Sequence, residues 1–230
     1  MKLRLPQNDS AKHILVNTLA SFLSLFVNGF GVYLTIRAGI GSGPWDVFHI
    51  GLANTLHVLY GTASIGTSCC ILLIDILMKE PIGISMIVDA LTVGKTVDLF
   101  NYLDLVPTPK TLAGSILLLL TGLTIMGTTQ YYYMLSSLGC GPRDTLLVGL
   151  KKRLKRIPIG AVSVMILSSA TLVGYFLGGP VGIGTLICAF CSGPIMQTVF
   201  RIAHFDAATV HHQSIGASLK LIFGKDKAHV

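Results

Sequence analysis

Gly41-Ser42-Gly43-Pro44-Trp45-Asp46 returns as Gly139-Cys140-Gly141-Pro142-Arg143-Asp144, four identities in six at an offset of 98, each time directly after a long apolar segment. The agreement extends outward. Gly51-Leu52 matches Gly149-Leu150 at the same offset. At an offset of 99, Gly61 and Ser64 match Gly160 and Ser163, and Pro81, Gly83 and Ile84 match Pro180, Gly182 and Ile183. Ala90 and Gly94 likewise match Ala189 and Gly193. The chain reads as two copies of one unit, 14–105 and 108–204, followed by a tail over 205–230. A Gly/Pro break at corresponding positions of two hydrophobic halves is the sequence pattern that marks a substrate site in a transporter.

Composition sets the solvent. Hydrophobic residues make up 52% of the 230 residues and charged residues only 12%, and the mean hydropathy is +0.72. A soluble domain carries about 25% charge to cover its surface. Six segments, near 14–36, 62–78, 83–103, 112–136, 159–178 and 182–202, have the roughly 20 apolar residues that cross about 30 Å of hydrocarbon. The first follows Lys2, Arg4, Lys12 and His13, as a secretory signal would, but its apolar stretch is too long and lacks a small-x-small cleavage pattern. It reads as an uncleaved span. The five cysteines form no disulfide framework: Cys69, Cys70, Cys188 and Cys191 fall inside spans and Cys140 in the second break. Cys188-x-x-Cys191 reads as packing rather than a metal or redox pair.

The net charge of +7 reads as a topology signal and not as a nucleic-acid patch. Lys151-Lys152-Arg153-Leu154-Lys155-Arg156 borders apolar spans, where cations mark the cytoplasmic face and meet anionic lipid head groups. Only Thr145 to Leu150 separate Asp144 from this cluster, about 9 Å of helix and far short of a bilayer. That element is therefore a re-entrant or interfacial half-helix, with a counterpart from Asp46 to about Leu59. Three crossings per copy remain, and an odd number inverts the second copy. The expected fold is an all-α membrane protein of six transmembrane helices plus two short re-entrant or interfacial helices, in two inverted repeats. With the termini cytoplasmic, all 17 Lys and Arg lie inside except Arg37 and Lys110, which fall outside, and Lys95, which lies in a span. Ser214 to Phe223 has the pattern of a short amphipathic surface helix; a disordered ending is the other reading of the tail.

Gly-x-Gly-Pro-x-Asp after the first span of each copy, with Pro-x-Gly-Ile before the last, resembles the YczE/YitT-type family of bacterial inner-membrane proteins. The resemblance covers roughly residues 14–203. It implies a multi-pass protein of the bacterial inner membrane and brings no settled reaction or site residues.

The site is argued from the residues. Gly allows positive φ, Pro cannot continue a preceding helix, and Asp is a preferred N-cap, so each motif describes a break followed by a helix start. One reading is a tight turn only. The other is a polar cavity lined by Gly41, Gly43, Asp46, Gly139, Gly141, Arg143 and Asp144, where a positive helix end favours an anion or carboxylate. Irregular backbone at membrane depth survives only inside protein or beside water. Span 83–103 is the most polar, with Asp89, Thr92, Lys95, Thr96 and Asp98. Charges there cost about 2.5–3.5 kcal/mol each on insertion scales and so should face inward and pair. A Lys95–Asp98 ion pair is one expectation, and coupling by Asp89, Lys95 and Asp98 the other. Asp46, His49 and His57 share an arc of the first short helix and read as a polar face toward surface water. Asn28 and Gln130 read as interhelical hydrogen-bonding groups, and Tyr131-Tyr132-Tyr133 as an interface belt.

No phosphate loop, His-Glu-x-x-His or nucleophile elbow is present, so no enzyme activity, cofactor or metal is expected. The leading expectation is a secondary transporter or permease for an unknown small molecule, its site at the repeat interface. The alternative is a non-transporting membrane partner of another protein complex. A homo-oligomer or a protein partner remains open in either case.

Overall fold

The computed structural model describes residues 10–205 and 213–223. The extreme termini and much of the tail lie outside the described residues, and with them the expectation of cytoplasmic termini. Every described element is helical. The order is α1 (Ala11–Arg37), α2 (Pro44–Leu56), α3 (Tyr60–Leu77), α4 (Ile84–Leu103), α5 (Leu112–Leu135), α6 (Pro142–Arg153), α7 (Ile159–Phe176), α8 (Ile183–Ile202) and α9 (Ile215–Phe223).

Five of these, α1, α3, α5, α7 and α8, are long and apolar enough to cross a membrane by length and composition. Helix α4 has 20 residues but carries Asp89, Lys95 and Asp98, which set it apart from those five. Helices α2 and α6, of 13 and 12 residues, are about 18–20 Å long and too short to span. Helix α6 exceeds the expected 9 Å because it continues through the basic cluster to Arg153. Both begin with Pro at the first turn, where its missing N–H costs nothing. The breaks ahead of them need Gly: φ is +106° at Gly41 and +131° at Gly139, a region other residues rarely adopt.

The contacts come in pairs that follow the sequence match. Helix α1 packs along α4, and α5 along α8. The breaks then cross over. The Ile40 carbonyl accepts from the Gly184 N–H at 2.7 Å, and the equivalent Leu138 carbonyl from the Ser85 N–H at 3.3 Å. Helix α2 lies on α7, and α6 on α3. Gly51 sits against Gly174 and Leu177, while Gly149 sits against Met78 and Glu80. Each short helix is thus seated on the third helix of the other copy. Antiparallel α1 and α5 meet at the centre, where Gly31 and Gly122 bring their backbones together and Asn28 Nδ2 donates to Thr129 Oγ1 at 2.9 Å.

One end of the bundle carries the basic cluster and is called the basic end. There the largely buried Glu80 carboxylate accepts from Lys152 Nζ at 2.5 Å, and Arg153 donates to the Met78 carbonyl at 2.9 Å. Helix α9 docks at this end too, through Gln213 N–H to the Ser137 carbonyl and Ile215 N–H to the Ile82 carbonyl. Its Ser218 is fully buried. At the far end, Arg37 pairs with Asp104 and donates to the Val106 carbonyl.

Candidate functional site

The two short helices point their N-termini at one another. The C-terminal end of α2 lies at the far end, where Thr55 Oγ1 donates to the Leu177 carbonyl, and the C-terminal end of α6 lies at the basic end. Between them, Arg143 at the start of α6 stands over the ring of Trp45 at the start of α2, 5.2 Å from its centre.

Around this meeting point lies a cavity of about 530 Å³ to which α1 to α8 all contribute, within the roughly 300–1,000 Å³ of small-molecule sites. Gly43, Asp46, Gly141, Arg143 and Asp144 line it, as does Asp89 of α4. The structure therefore gathers these six expected residues in one place. Gly41 and Gly139 do not line it; they shape the breaks, packed against Gly182 and Gly83. The apolar part of the wall comes from Leu25, Val32, Leu123, Met126 and Met196.

Polar partners hold the carboxylates. Asp46 Oδ1 accepts from the Tyr60 hydroxyl at 2.8 Å, and Asp144 Oδ2 from Gln130 Nε2 at 3.4 Å. The Asp89 carboxylate reaches across to the second break, where a Cβ at position 141 would meet its Oδ2 at 2.8 Å. No side chain caps either short helix, so the first-turn N–H groups keep their positive end toward the cavity.

Several expectations change. His49 is fully buried rather than part of a surface face, with Nδ1 at 3.4 Å from the Tyr60 hydroxyl; His57, left-handed at the end of α2, is exposed and separate. His49, Tyr60 and Asp46 form a connected polar group that the sequence concealed, because Tyr60 belongs to the next helix. Tyr133 is 2% exposed and lines the cavity instead of an interface belt. Lys95 is exposed on the outside of α4 and makes no ion pair with Asp98 among the described residues. Asp98 Oδ1 instead accepts the Gly61 N–H at 2.8 Å, at the start of α3. The free N–H groups of a helix start compete for a nearby carboxylate, and the start of α3 supplies one at Gly61 while the Lys95 side chain is exposed.

A family of unknown function, DUF6198, matches residues 15–201. An uncharacterized protein of Haemophilus influenzae is 32% identical over 183 residues, 78% of this chain and 81% of that protein. The uncharacterized membrane protein YczE of Bacillus subtilis is 29% identical over 182 residues, 76% of this chain and 81% of its own length. YyaS of the same organism is 24% identical over 185 residues, covering 77% and 89%. No solved structure matches.

Proposed function

The chain belongs to the DUF6198 family and is similar to the membrane protein YczE, and we propose that it is a small-molecule permease of the bacterial inner membrane. One observation carries the reading: two uncapped half-helix starts, one from each copy, meet in a single polar cavity at the middle of an apolar bundle. Discontinuous helices whose N-termini converge at mid-membrane are the way many secondary transporters build a substrate site. In this reading α1, α3, α4, α5, α7 and α8 cross the membrane in two inverted repeats. The basic end faces the cytoplasm, together with α9 and both termini.

Charge selects the substrate class. Asp46, Asp89 and Asp144 place three carboxylates on the wall, against one guanidinium at Arg143 and about half a positive charge from each helix start. The balance with all groups ionised is about one negative charge. That favours a small organic cation, or a zwitterion whose ammonium is the deeper group, over the simple anion that the helix starts alone suggest. The aromatic faces of Trp45, Tyr60 and Tyr133 suit such a cation as well. Asp89 reaches between the copies and is the carboxylate best placed for coupling.

The test is uptake by the purified chain in proteoliposomes, with separate panels of cations, zwitterions and anions. Saturable uptake of a cation or zwitterion that fails in Asp89→Asn supports the reading. A folded chain that moves no compound and retains a second protein on purification favours the non-transporting alternative. Lys95 speaks for that alternative: it is exposed about 12 Å from the end of its helix, a costly position in lipid that a partner helix or a second copy would cover.

A further inference from the structure

The two copies match in sequence but differ in closure, and the difference sits on two pairs of glycines. In the first copy Gly61 of α3 and Gly94 of α4 are both buried and touch backbone to backbone. A Cβ at position 61 would lie 2.5 Å from the Gly94 carbonyl oxygen, and one at position 94 would lie 2.9 Å from the Gly61 Cα. Helix α3 is sealed along α4 there, and Val97 one turn on is fully buried. Their counterparts are Gly160 of α7 and Gly193 of α8. A Cβ at either position would meet nothing within 4 Å beyond its own helix. Helices α7 and α8 have almost no contact, and the cavity runs between them along Ser163, Ile166, Ser192, Gly193 and Met196.

A glycine inside a helix costs roughly 0.5–1 kcal/mol relative to alanine and is justified where backbones must approach. Gly61 and Gly94 have that justification in this structure; Gly160 and Gly193 lack it. Building on the permease reading above, we propose that Gly61–Gly94 and Gly160–Gly193 are the two gates of the cavity, closed in alternation. The structure is then the state sealed at the far end and open at the basic end. In the opposite state Gly160 meets Gly193, and Gly61 parts from Gly94. Gln197 occupies the position of Asp98 at the offset of 99, and its amide oxygen takes the Gly160 N–H as Asp98 takes that of Gly61 here.

The elements that would move are built unequally. Helix α7 is clamped at its far end, where Gly174 lies against the backbone of Val47 and Phe48; nearer the basic end it buries Val162 and also contacts α6. Helix α8 carries Pro194 in its interior, directly after the gate glycine. That proline removes a helix hydrogen bond and makes a bending point. Lys95 stands there in α4, so the gate at the basic end has a pivot that the far gate lacks.

Two measurements in native membranes test the proposal on a chain freed of its five cysteines. A Gly160→Cys, Gly193→Cys pair should form a disulfide on mild oxidation with copper-phenanthroline. A disulfide needs Cβ atoms about 3.5–4.5 Å apart, whereas a Cβ at either position here meets no atom of the other helix within 4 Å. Separately, Gly160→Val has room in the open state and none in the closed one. It should fold with an unchanged melting temperature, and it should speed modification of a Ser192→Cys reporter by a membrane-impermeant methanethiosulfonate from the basic end. In proteoliposomes it should abolish any uptake the parent shows. No disulfide, together with an unchanged reporter rate in Gly160→Val, overturns the gate; if uptake persists, the permease reading stands without it. A disulfide and a faster reporter in a chain that moves no compound of any panel uphold the gate and remove the permease reading.

Discussion

Arg143 and Trp45 occupy the same place in the two copies of the motif, and they meet face to face: the guanidinium lies 5.2 Å from the centre of the indole ring. The identical residues of the motif build the two breaks. Of the two positions that differ, this one joins them.

That contact has a measurable strength. A cation over an aromatic face contributes about 0.5–1 kcal/mol when exposed and about 2 when desolvated. Thermal denaturation of Arg143→Gln, Trp45→Leu and the double variant in detergent should give a coupling energy of about 1 kcal/mol. Additive losses would show that the two breaks are held together by other contacts.

The closed and open glycines should respond oppositely to the same change. Gly61→Ala forces a methyl group onto the Gly94 carbonyl and should cost about 1–3 kcal/mol, the range for overpacking. Gly160→Ala enters open space and should stay within about 0.5 kcal/mol of the parent. Denaturation of both in one detergent makes the comparison, and an equal loss in the two would mean that α7 meets α8 in solution.

Lys95→Ala and Asp98→Ala should behave as independent changes. Asp98→Ala removes the acceptor for the Gly61 N–H and should cost about 1.5–3 kcal/mol, as for hydrogen bonds to charged groups. Lys95→Ala should cost little in detergent. A double variant more stable than Asp98→Ala alone would restore the ion pair expected from sequence.

Asp75 and Glu80 are both buried carboxylates near the basic end, and they differ in their partners. Among the described residues neither oxygen of Asp75 has a hydrogen bond, whereas Glu80 meets Lys152 and Arg153. Asp75→Asn should therefore leave the melting temperature equal or higher, since removing an unpaired buried charge removes a cost. Glu80→Gln should lower it. A large loss from Asp75→Asn would reveal a partner formed only in lipid.

The crossing number is settled by labelling. A single cysteine at Thr108 should react with an impermeant reagent from outside, and one at Lys152 from the cytoplasm. Labelling at Thr108 from the cytoplasm alone would replace six crossings with eight.

The breaks, the two short helices and the six cavity residues were legible because each rests on local chemistry: Gly for φ, Pro for a helix start, length for a span. What the sequence withheld depends on which helices become neighbours. Asp98 and Lys95 are close along their own helix, but periodicity does not say that the start of α3 lies beside Asp98. His49 looked solvent-facing for the same reason, since its partner Tyr60 lies on α3. The duplication was readable, but its consequence for closure was not. Identical glycines sit in contact at one end and apart at the other, and only coordinates separate the two.

The crossed hydrogen bonds of the breaks also set the order of assembly. The Ile40 carbonyl enters the bilayer with the first quarter of the chain, while its donor at Gly184 arrives only with the last crossing. At about 5–20 residues per second, that interval is on the order of ten seconds. Throughout it the first copy carries a helix break with an unpaired carbonyl in an apolar solvent. Neither copy completes its own break. In the inverted arrangement proposed above, a half-length forerunner of this chain would have had to insert in both orientations and complete itself with a second molecule.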